Sequence, residues 1–463
     1  TLRRDGSSRF GQNHRWGTYP SASLRYRISG EPFMQKLSEQ WLDELSLRAS
    51  YGVNGAQPKG NYASVATYNV FDFEYLGGTG TYQRNLELVD LRWENTTQAN
   101  IGLNFASFKN RLGFDFEWYH KETRDLFMYN LKIPTTTGFS SVNTNVGRMD
   151  NNGWEFQCFA IPIKTKDWTL SLNLNFARND NRLREISELY PQESGISTSN
   201  ASYISQLIVD QPLGSFYGYL YDGVYLNEDQ TIARDKKGDK IYTYNDKGEK
   251  EPVYMRFSYP SIDYQFQPGD ARYVDVNHDG NIDYQDIVWL GNAMALFSGG
   301  FGGKLSWKQF TVDAFFNFRY GNDVINFAKL NMENMYAYDN QSLSVLRRWR
   351  HVYEDESEAP DDLLPRALYR KGYNYLASDR FVEDGSFVRF KSLTFRYNMS
   401  RDQLKNTFLQ RASFFITLQN LYVWTAYTGM DPEVNISNPL SAGYDYASTP
   451  RPKDYMIGFS LTF

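Results

Sequence analysis

One stretch of the chain has residue types and spacing that could do chemistry: Asp275-Val276-Asn277-His278-Asp279-Gly280-Asn281-Ile282-Asp283-Tyr284-Gln285-Asp286. Oxygen-bearing side chains stand at loop positions one, three and five, Gly at six, and an acid at twelve, which is the calcium-loop pattern. Calcium takes roughly six to eight oxygens, and a chain that turns sharply at Gly280 can wrap them around one ion. Asp275, Asn277 and Asp279 would supply side chains, Asn281 its backbone carbonyl, Asp283 a bridging water, and Asp286 would close the shell. The closing acid is Asp where Glu is usual, and its shorter reach weakens bidentate closure. No helical pattern flanks the loop and no second copy exists, so the expectation is an isolated structural calcium site rather than an EF-hand pair or a dockerin repeat. The competing reading is a solvated Asp/Asn turn.

Around this loop the chain offers little else for catalysis. The four histidines, His14, His120, His278 and His351, are scattered. No nucleophile elbow or phosphate loop is present, and the acidic run from Glu354 to Asp362 reads as a solvated loop. An enzyme is therefore not expected. Tyr217, Tyr219, Tyr221, Trp289, Tyr336, Tyr338, Tyr373, Tyr375 and Tyr427 could stack on sugar rings or simply pack within loops. Cys158 is the single cysteine. It excludes an intramolecular disulfide, and its place on the apolar side of Trp154, Phe156 and Ala160 makes it a small filler.

The elements that must carry these loops are strands. In the 463 residues, Trp168, Leu170, Leu172, Leu174 and Phe176 alternate with Thr169, Ser171, Asn173 and Asn175. Leu112, Phe114, Phe116 and Trp118 alternate with Gly113, Asp115 and Glu117. The last ten residues place Tyr455, Ile457, Phe459, Leu461 and Phe463 on one side. Such period-two patterns predict half-apolar strands. Val388 and Phe390 share a phase that Leu393, Phe395 and Tyr397 break by one residue, so a bulge is expected near Lys391–Ser392.

About eleven strands are predicted, at 21–28, 44–51, 98–106, 111–119, 154–162, 168–177, 297–306, 309–319, 385–397, 411–421 and 454–463. Their connections alternate between short and long, and the long ones cover about 52–97, 120–153, 178–296, 320–384 and 422–453. Short turns on one side and long loops on the other are the pattern of a membrane barrel. Within the long segment 324–352, apolar residues at helical spacing predict short helices.

Composition agrees. Aromatic residues make up 17% of the chain, which suits interfacial girdles. Mean hydropathy is -0.59 and no run of about 18 apolar residues occurs, so a helical membrane protein is not expected. A net charge of -5 with no basic cluster gives no reason to expect nucleic acid as a partner. Because single-chain bacterial barrels have an even strand number, a count of eleven implies that an odd number precedes Thr1. The chain begins there without Met or an apolar leader.

Specific words then stand out in order: Arg4 to Gly11 (RDGSSRFG), Leu47 to Gly55 (LRASYGVNG), Trp93 to Gln98 (WENTTQ) and Gly214 to Tyr219 (GSFYGY). Asp384 to Arg389 (DGSFVR), Thr428 to Glu433 (TGMDPE) and Thr449 to Pro452 (TPRP) complete the set. Together they resemble the SusC-like family of TonB-dependent outer-membrane transporters. The resemblance implies an all-β fold, an antiparallel transmembrane β-barrel of about 22 strands of which residues 1–463 are about the C-terminal half, with a long extracellular insertion at about 178–296. It implies an N-terminal plug outside this chain, TonB as the energy-coupling partner through that missing region, a SusD-like surface lipoprotein, contact with outer-membrane lipid, and an oligosaccharide or peptide cargo. Two rival classes remain at this stage: a soluble calcium-binding, carbohydrate-binding β-sandwich and a passive porin. In a sandwich, residues such as Leu172 and Phe459 would be enclosed in a dry interior.

Overall fold

The computed structural model describes every residue except 59, 76, 134, 140, 187–199, 201, 204–206, 259–261 and 435–441. Twelve strands form one antiparallel sheet in which each strand pairs with the next in sequence. They are β1 (Leu2–Gly6), β2 (Trp16–Arg27), β3 (Leu42–Ala56), β4 (Glu94–Ser107), β5 (Leu112–Arg124) and β6 (Arg148–Lys164). Then follow β7 (Trp168–Glu185), β8 (Phe297–Trp307), β9 (Phe310–Tyr320), β10 (Phe387–Asn398), β11 (Arg411–Thr425) and β12 (Asp454–Thr462). This up-and-down order is the topology of a membrane barrel wall.

All eleven expected strands are present. The twelfth, β1, is the one the alternation missed. Its five residues, Leu-Arg-Arg-Asp-Gly, carry no apolar periodicity, and pairing with β2 from Leu2↔Pro20 to Gly6↔Trp16 creates the strand. The count is therefore even, and the parity argument for an odd number of preceding strands does not hold. The expected bulge is found: Phe390 and Ser392 pair with consecutive residues Phe316 and Phe315, so Lys391 is left between them. Asn420, at φ +51, absorbs the irregularity on the β11 side.

β6 and β7 run well past their expected ends, to Arg148 and Glu185. Beyond Trp154 and Ala177 both faces are polar (Asp150, Asn151, Asn152 against Asn179, Asp180, Asn181), so the ladder continues where the hydropathy signal stops. The long connection consequently starts at 186 rather than 178, and 187–199, 201, 204–206 and 259–261 within it lie outside the described residues.

The two faces of the sheet differ chemically. One carries an aromatic ladder, with ring centroids 5.0 Å apart for Phe105–Phe114, 5.9 Å for Phe114–Phe156, 5.2 Å for Trp154–Phe176, 4.9 Å for Phe301–Phe316 and 4.4 Å for Phe316–Phe390. Where the short turns lie, this face ends in a belt of two ring-linked groups, Trp41 with Phe108, and Trp168, Trp307, Phe310 and Tyr397 in series. That is the girdle expected where a barrel meets the membrane interface. Leu172 is 43% exposed and Phe459 74% exposed, so neither sits in a dry interior of the kind a sandwich requires.

The dry cores lie instead in the long connections. Tyr219, Tyr225, Phe257, Phe266, Tyr273 and Ile282 form one, and Phe216, Ile325, Leu330 and Phe381 another. The expected short helices are there: Phe327–Glu333, capped by the Asn326 side chain accepting from Lys329 N at 2.9 Å, and 3-10 turns at Leu343–Arg347 and His351–Glu354.

Candidate functional site: the polar wall and the loops above it

The second face of the sheet is a polar wall. Register places Ser46, Asn104, Asp115, Gln157 and Asn175 in one row, and Arg48, Gly102, Glu117, Glu155, Ala177 and Ser298 in the next. Arg48 reaches over Gly102, whose missing side chain leaves room for the guanidinium, and stands 3.5 Å from Glu117 and 3.8 Å from Asp115. These rows line a cavity of about 620 Å³. Exposed ion pairs of this kind contribute little to stability; what they provide is a hydrated surface suited to polar solutes or to a polar protein surface.

The loops are pinned to the top of this wall by a buried ion cluster. Arg389, on β10, is 2% exposed; its guanidinium lies 2.5 Å from Asp431 and 3.3 Å from Glu433, and Glu433 lies 2.7 Å from Arg451. Burial alone would raise the Asp431 carboxyl, but the amides of Glu433 and Arg451 and the Arg389 charge outweigh it and hold that group below the usual carboxylate range. At the other end of the sheet Phe10 packs on Trp93 with centroids 4.4 Å apart, and Tyr19 meets Trp93 edge-on at 5.8 Å. Further out, Arg380 pairs with Glu333 at 3.0 Å with both side chains buried, and Arg366 pairs with the fully buried Asp270 at 2.9 Å.

The acidic loop forms one compact turn. Gly280 takes φ +89 at the sixth position, and Asp275 accepts from the amides of His278 (2.7 Å), Asp279 (3.2 Å) and Gly280 (2.7 Å). Asn277 accepts from Asp279 N at 3.0 Å, and Asp279 from Asn281 N at 2.8 Å. Asp283 and Asp286 form a capping box around the turn Tyr284–Asp286, and Asp286 also accepts from Val276 N at 2.8 Å. Burial pushes the Asp286 carboxyl up to about 6, despite two backbone hydrogen bonds that favour its charge. The six expected ligands, Asp275, Asn277, Asp279, Asn281, Asp283 and Asp286, are thus brought into a single turn, with their carboxylates directed at amides. Among the described residues no three His, Cys, Asp or Glu side chains are grouped so as to hold a metal ion. The donor chemistry and the Gly280 turn fit calcium; the grouping of the acids does not by itself make a coordination sphere.

Most of the loop aromatics are packing residues. Tyr217, Tyr219, Tyr375 and Tyr427 are buried, and Tyr427 donates to Asp445 at 2.6 Å. Trp289 and Tyr338 are the exposed members of that set. The histidines stay apart, His120 against Asn152 and His351 against Glu354. The residues that sequence reasoning did not single out are Arg389, Asp431, Glu433 and Arg451. Each lies inside one of the words that carry the family resemblance, and three of those words meet only in space.

A family profile described as "TonB dependent receptor-like, beta-barrel" matches residues 1–237. The chain belongs to the TonB-dependent receptor family. Across its whole length it is 31% identical to TonB-dependent receptor P39 of Formosa agariphila, of which it covers 44%. It is 28% identical to TonB-dependent receptor SusC of Bacteroides thetaiotaomicron, of which it covers 42%. The solved structure of the RagAB peptide transporter superposes on all of it with a TM-score of 0.75 at 23% identity, over 45% of that chain. The chain therefore spans less than half the length of these relatives, and the wall described above corresponds to about half of a TonB-dependent receptor barrel. No helix among the described residues is long and apolar enough to cross a membrane, which says nothing against a barrel.

Proposed function

We propose that this chain is the C-terminal part of an outer-membrane importer that takes up oligosaccharides or peptides, energised through TonB and working with a SusD-like surface lipoprotein. In this reading residues 1–463 form barrel wall, the connection at about 178–296 belongs to the extracellular side, and a plug from outside this chain rests against the polar wall. The cargo crosses unchanged, without catalysis by this chain. One observation supports the reading above the others: a single twelve-stranded meander with an exposed aromatic face on one side and a polar wall on the other. In lipid such a wall keeps its backbone groups paired only when closed into a ring. The sheet has β1 and β12 at its two edges, so closure needs further strands.

The test is uptake. Cells of the host carrying the full-length gene should accumulate labelled oligosaccharide or peptide, and should lose that accumulation when either the gene or tonB is deleted. Accumulation that survives loss of TonB would instead indicate a passive pore.

The reading includes calcium at Asp275–Asp286, as a stiffener of the external layer. The turn is stitched to the neighbouring strand by Arg256 N to Gly280 O at 3.1 Å and Ser258 N to Ile282 O at 3.3 Å, so tightening it would stiffen that strand too. Millimolar calcium is expected to raise the apparent melting temperature of the purified protein by several degrees through mass action on the folded state. Asp275→Asn should abolish the increment, and an equal increment in that variant would remove calcium from the picture.

A further inference from the structure

Where the connections 57–93 and 125–147 meet above β3 to β6, a cavity of about 490 Å³ opens. That lies within the roughly 300–1,000 Å³ range of ligand pockets. Leu86, Leu88 and Val142 give it an apolar floor, Asn61, Asn85 and Ser141 line it with polar groups, and Tyr62 and Arg84 stand at its wall. Among the described residues that line it there is no Asp or Glu, although the chain carries a net charge of -5. Among the described residues Arg84 forms no ion pair, and its side chain is exposed at the cavity.

Tyr62 adds an independent observation. It is 73% exposed and sits at φ +61, a left-handed conformation that a bulky residue adopts only when its surroundings enforce it. A rigid frame does so here. Arg9 donates to Asn61 Oδ1 at 2.9 Å and to Pro58 O at 3.0 Å. Leu88 N donates to Ser64 O at 3.1 Å, and the Asn85 side chain donates to Val65 O at 3.0 Å. The backbone around Tyr62 is thus fixed at the cost of local strain, and its ring is left exposed at the cavity wall.

We propose that this cavity is a subsite for an acidic sugar of an oligosaccharide cargo. Arg84 pairs with the sugar's carboxylate or sulfate, and the Tyr62 ring stacks on its pyranose face. The inference rests on the importer reading and names the substrate class within it. A peptide carboxylate would satisfy Arg84 equally well, but it offers Tyr62 no flat ring with an apolar face. The exposed ring and the charge together favour the sugar.

The test uses the purified full-length protein in detergent, titrated calorimetrically with trigalacturonate, maltotriose and tetraglutamate. Trigalacturonate should bind about tenfold or more tighter than the other two, on the scale of one charge-assisted hydrogen-bonded pair. Arg84→Gln should erase its advantage over maltotriose, and Tyr62→Ala should weaken it about tenfold by loss of stacking. Both side chains are exposed, so folding should be retained, with circular dichroism as the check. The proposal is overturned if the preference for trigalacturonate is absent, if it survives Arg84→Gln, or if tetraglutamate binds as well. Uptake measured in parallel separates the two readings. TonB-dependent uptake together with any of those results sinks the subsite alone, whereas absence of TonB-dependent uptake sinks the importer.

Discussion

Replacing Arg389 by alanine is expected to destabilise the folded protein by about 3–5 kcal/mol, the usual cost of removing one member of a buried ion pair. The guanidinium is almost wholly enclosed and faces Asp431 and Glu433, whose side chains are 12% and 14% exposed, so its loss leaves Asp431 with no cationic partner and Glu433 with Arg451 alone. Arg451 is half in solvent and reaches only Glu433, so it cannot compensate Asp431 through a side-chain contact. The consequence should be local first. The connection 426–453 should detach from the end of β10, seen as faster amide exchange or new proteolytic cleavage there before global unfolding. Asp431 has a depressed pKa, so the cluster's contribution is fully present above the ordinary carboxylate value and is lost as pH falls through the depressed one. Neutral pH is therefore the condition for the measurement. Arg389→Lys should recover only part of the loss, because a single ammonium cannot form the two-sided contact. Loss of less than about 1 kcal/mol at neutral pH, within the range of a surface pair, would mean that the cluster does not pin this loop.

The uneven legibility of this chain follows from where its surroundings change. Strands were readable wherever one face meets lipid and the other water, since that contrast writes a period of two into the sequence. The same contrast exposed the bulge at Lys391 as a slip of phase. Past the apolar band both faces of β6 and β7 are polar, so Asp150–Asn152 and Asn179–Asn181 left no pattern although their ladder is unbroken. β1 was invisible for the same reason, being short and polar, with the partner strand supplying its conformation. The layer built by the long connections rests on strands of two to eight residues and on contacts such as Tyr273 OH to Tyr373 O, a hundred positions apart, which no local periodicity encodes. Candidate site residues divide likewise. The turn at Asp275–Asp286 was local and therefore readable, whereas the Arg389 cluster joins segments 42 residues apart between Arg389 and Asp431, and 20 between Asp431 and Arg451. Three words of the resemblance contain its members, but nothing within a word names its partner. The loop tyrosines show the converse: an aromatic in a polar loop reads the same whether it is buried, as Tyr219 is, or exposed, as Tyr338 is.

Leu174→Arg and Asn175→Lys differ by one position and should differ by several kcal/mol. Leu174 lies on the aromatic face, in register with Cys158 and Phe301. Near the bilayer midplane a cation on that face costs about 2–4 kcal/mol in a barrel. Asn175 points the other way, lining the polar wall beside Asp115 and Glu155, where an added ammonium meets water and opposite charge. Its effect should stay within about 0.5 kcal/mol, as for an ordinary exposed substitution. Urea titration of the full-length protein folded in phosphatidylcholine vesicles measures both. The comparison has a sharp sign because strand geometry leaves no intermediate: a residue and its neighbour face opposite media, and a shift of one in register would exchange the two results. If Asn175→Lys proved the costly change, the faces would be assigned backwards. If both were tolerated, the aromatic side would not be facing hydrocarbon, and the membrane location that underlies the importer reading would go with it. If both were severe, the polar wall would be a packed interface with too little water to hydrate a new charge, and the plug would then be its most direct occupant.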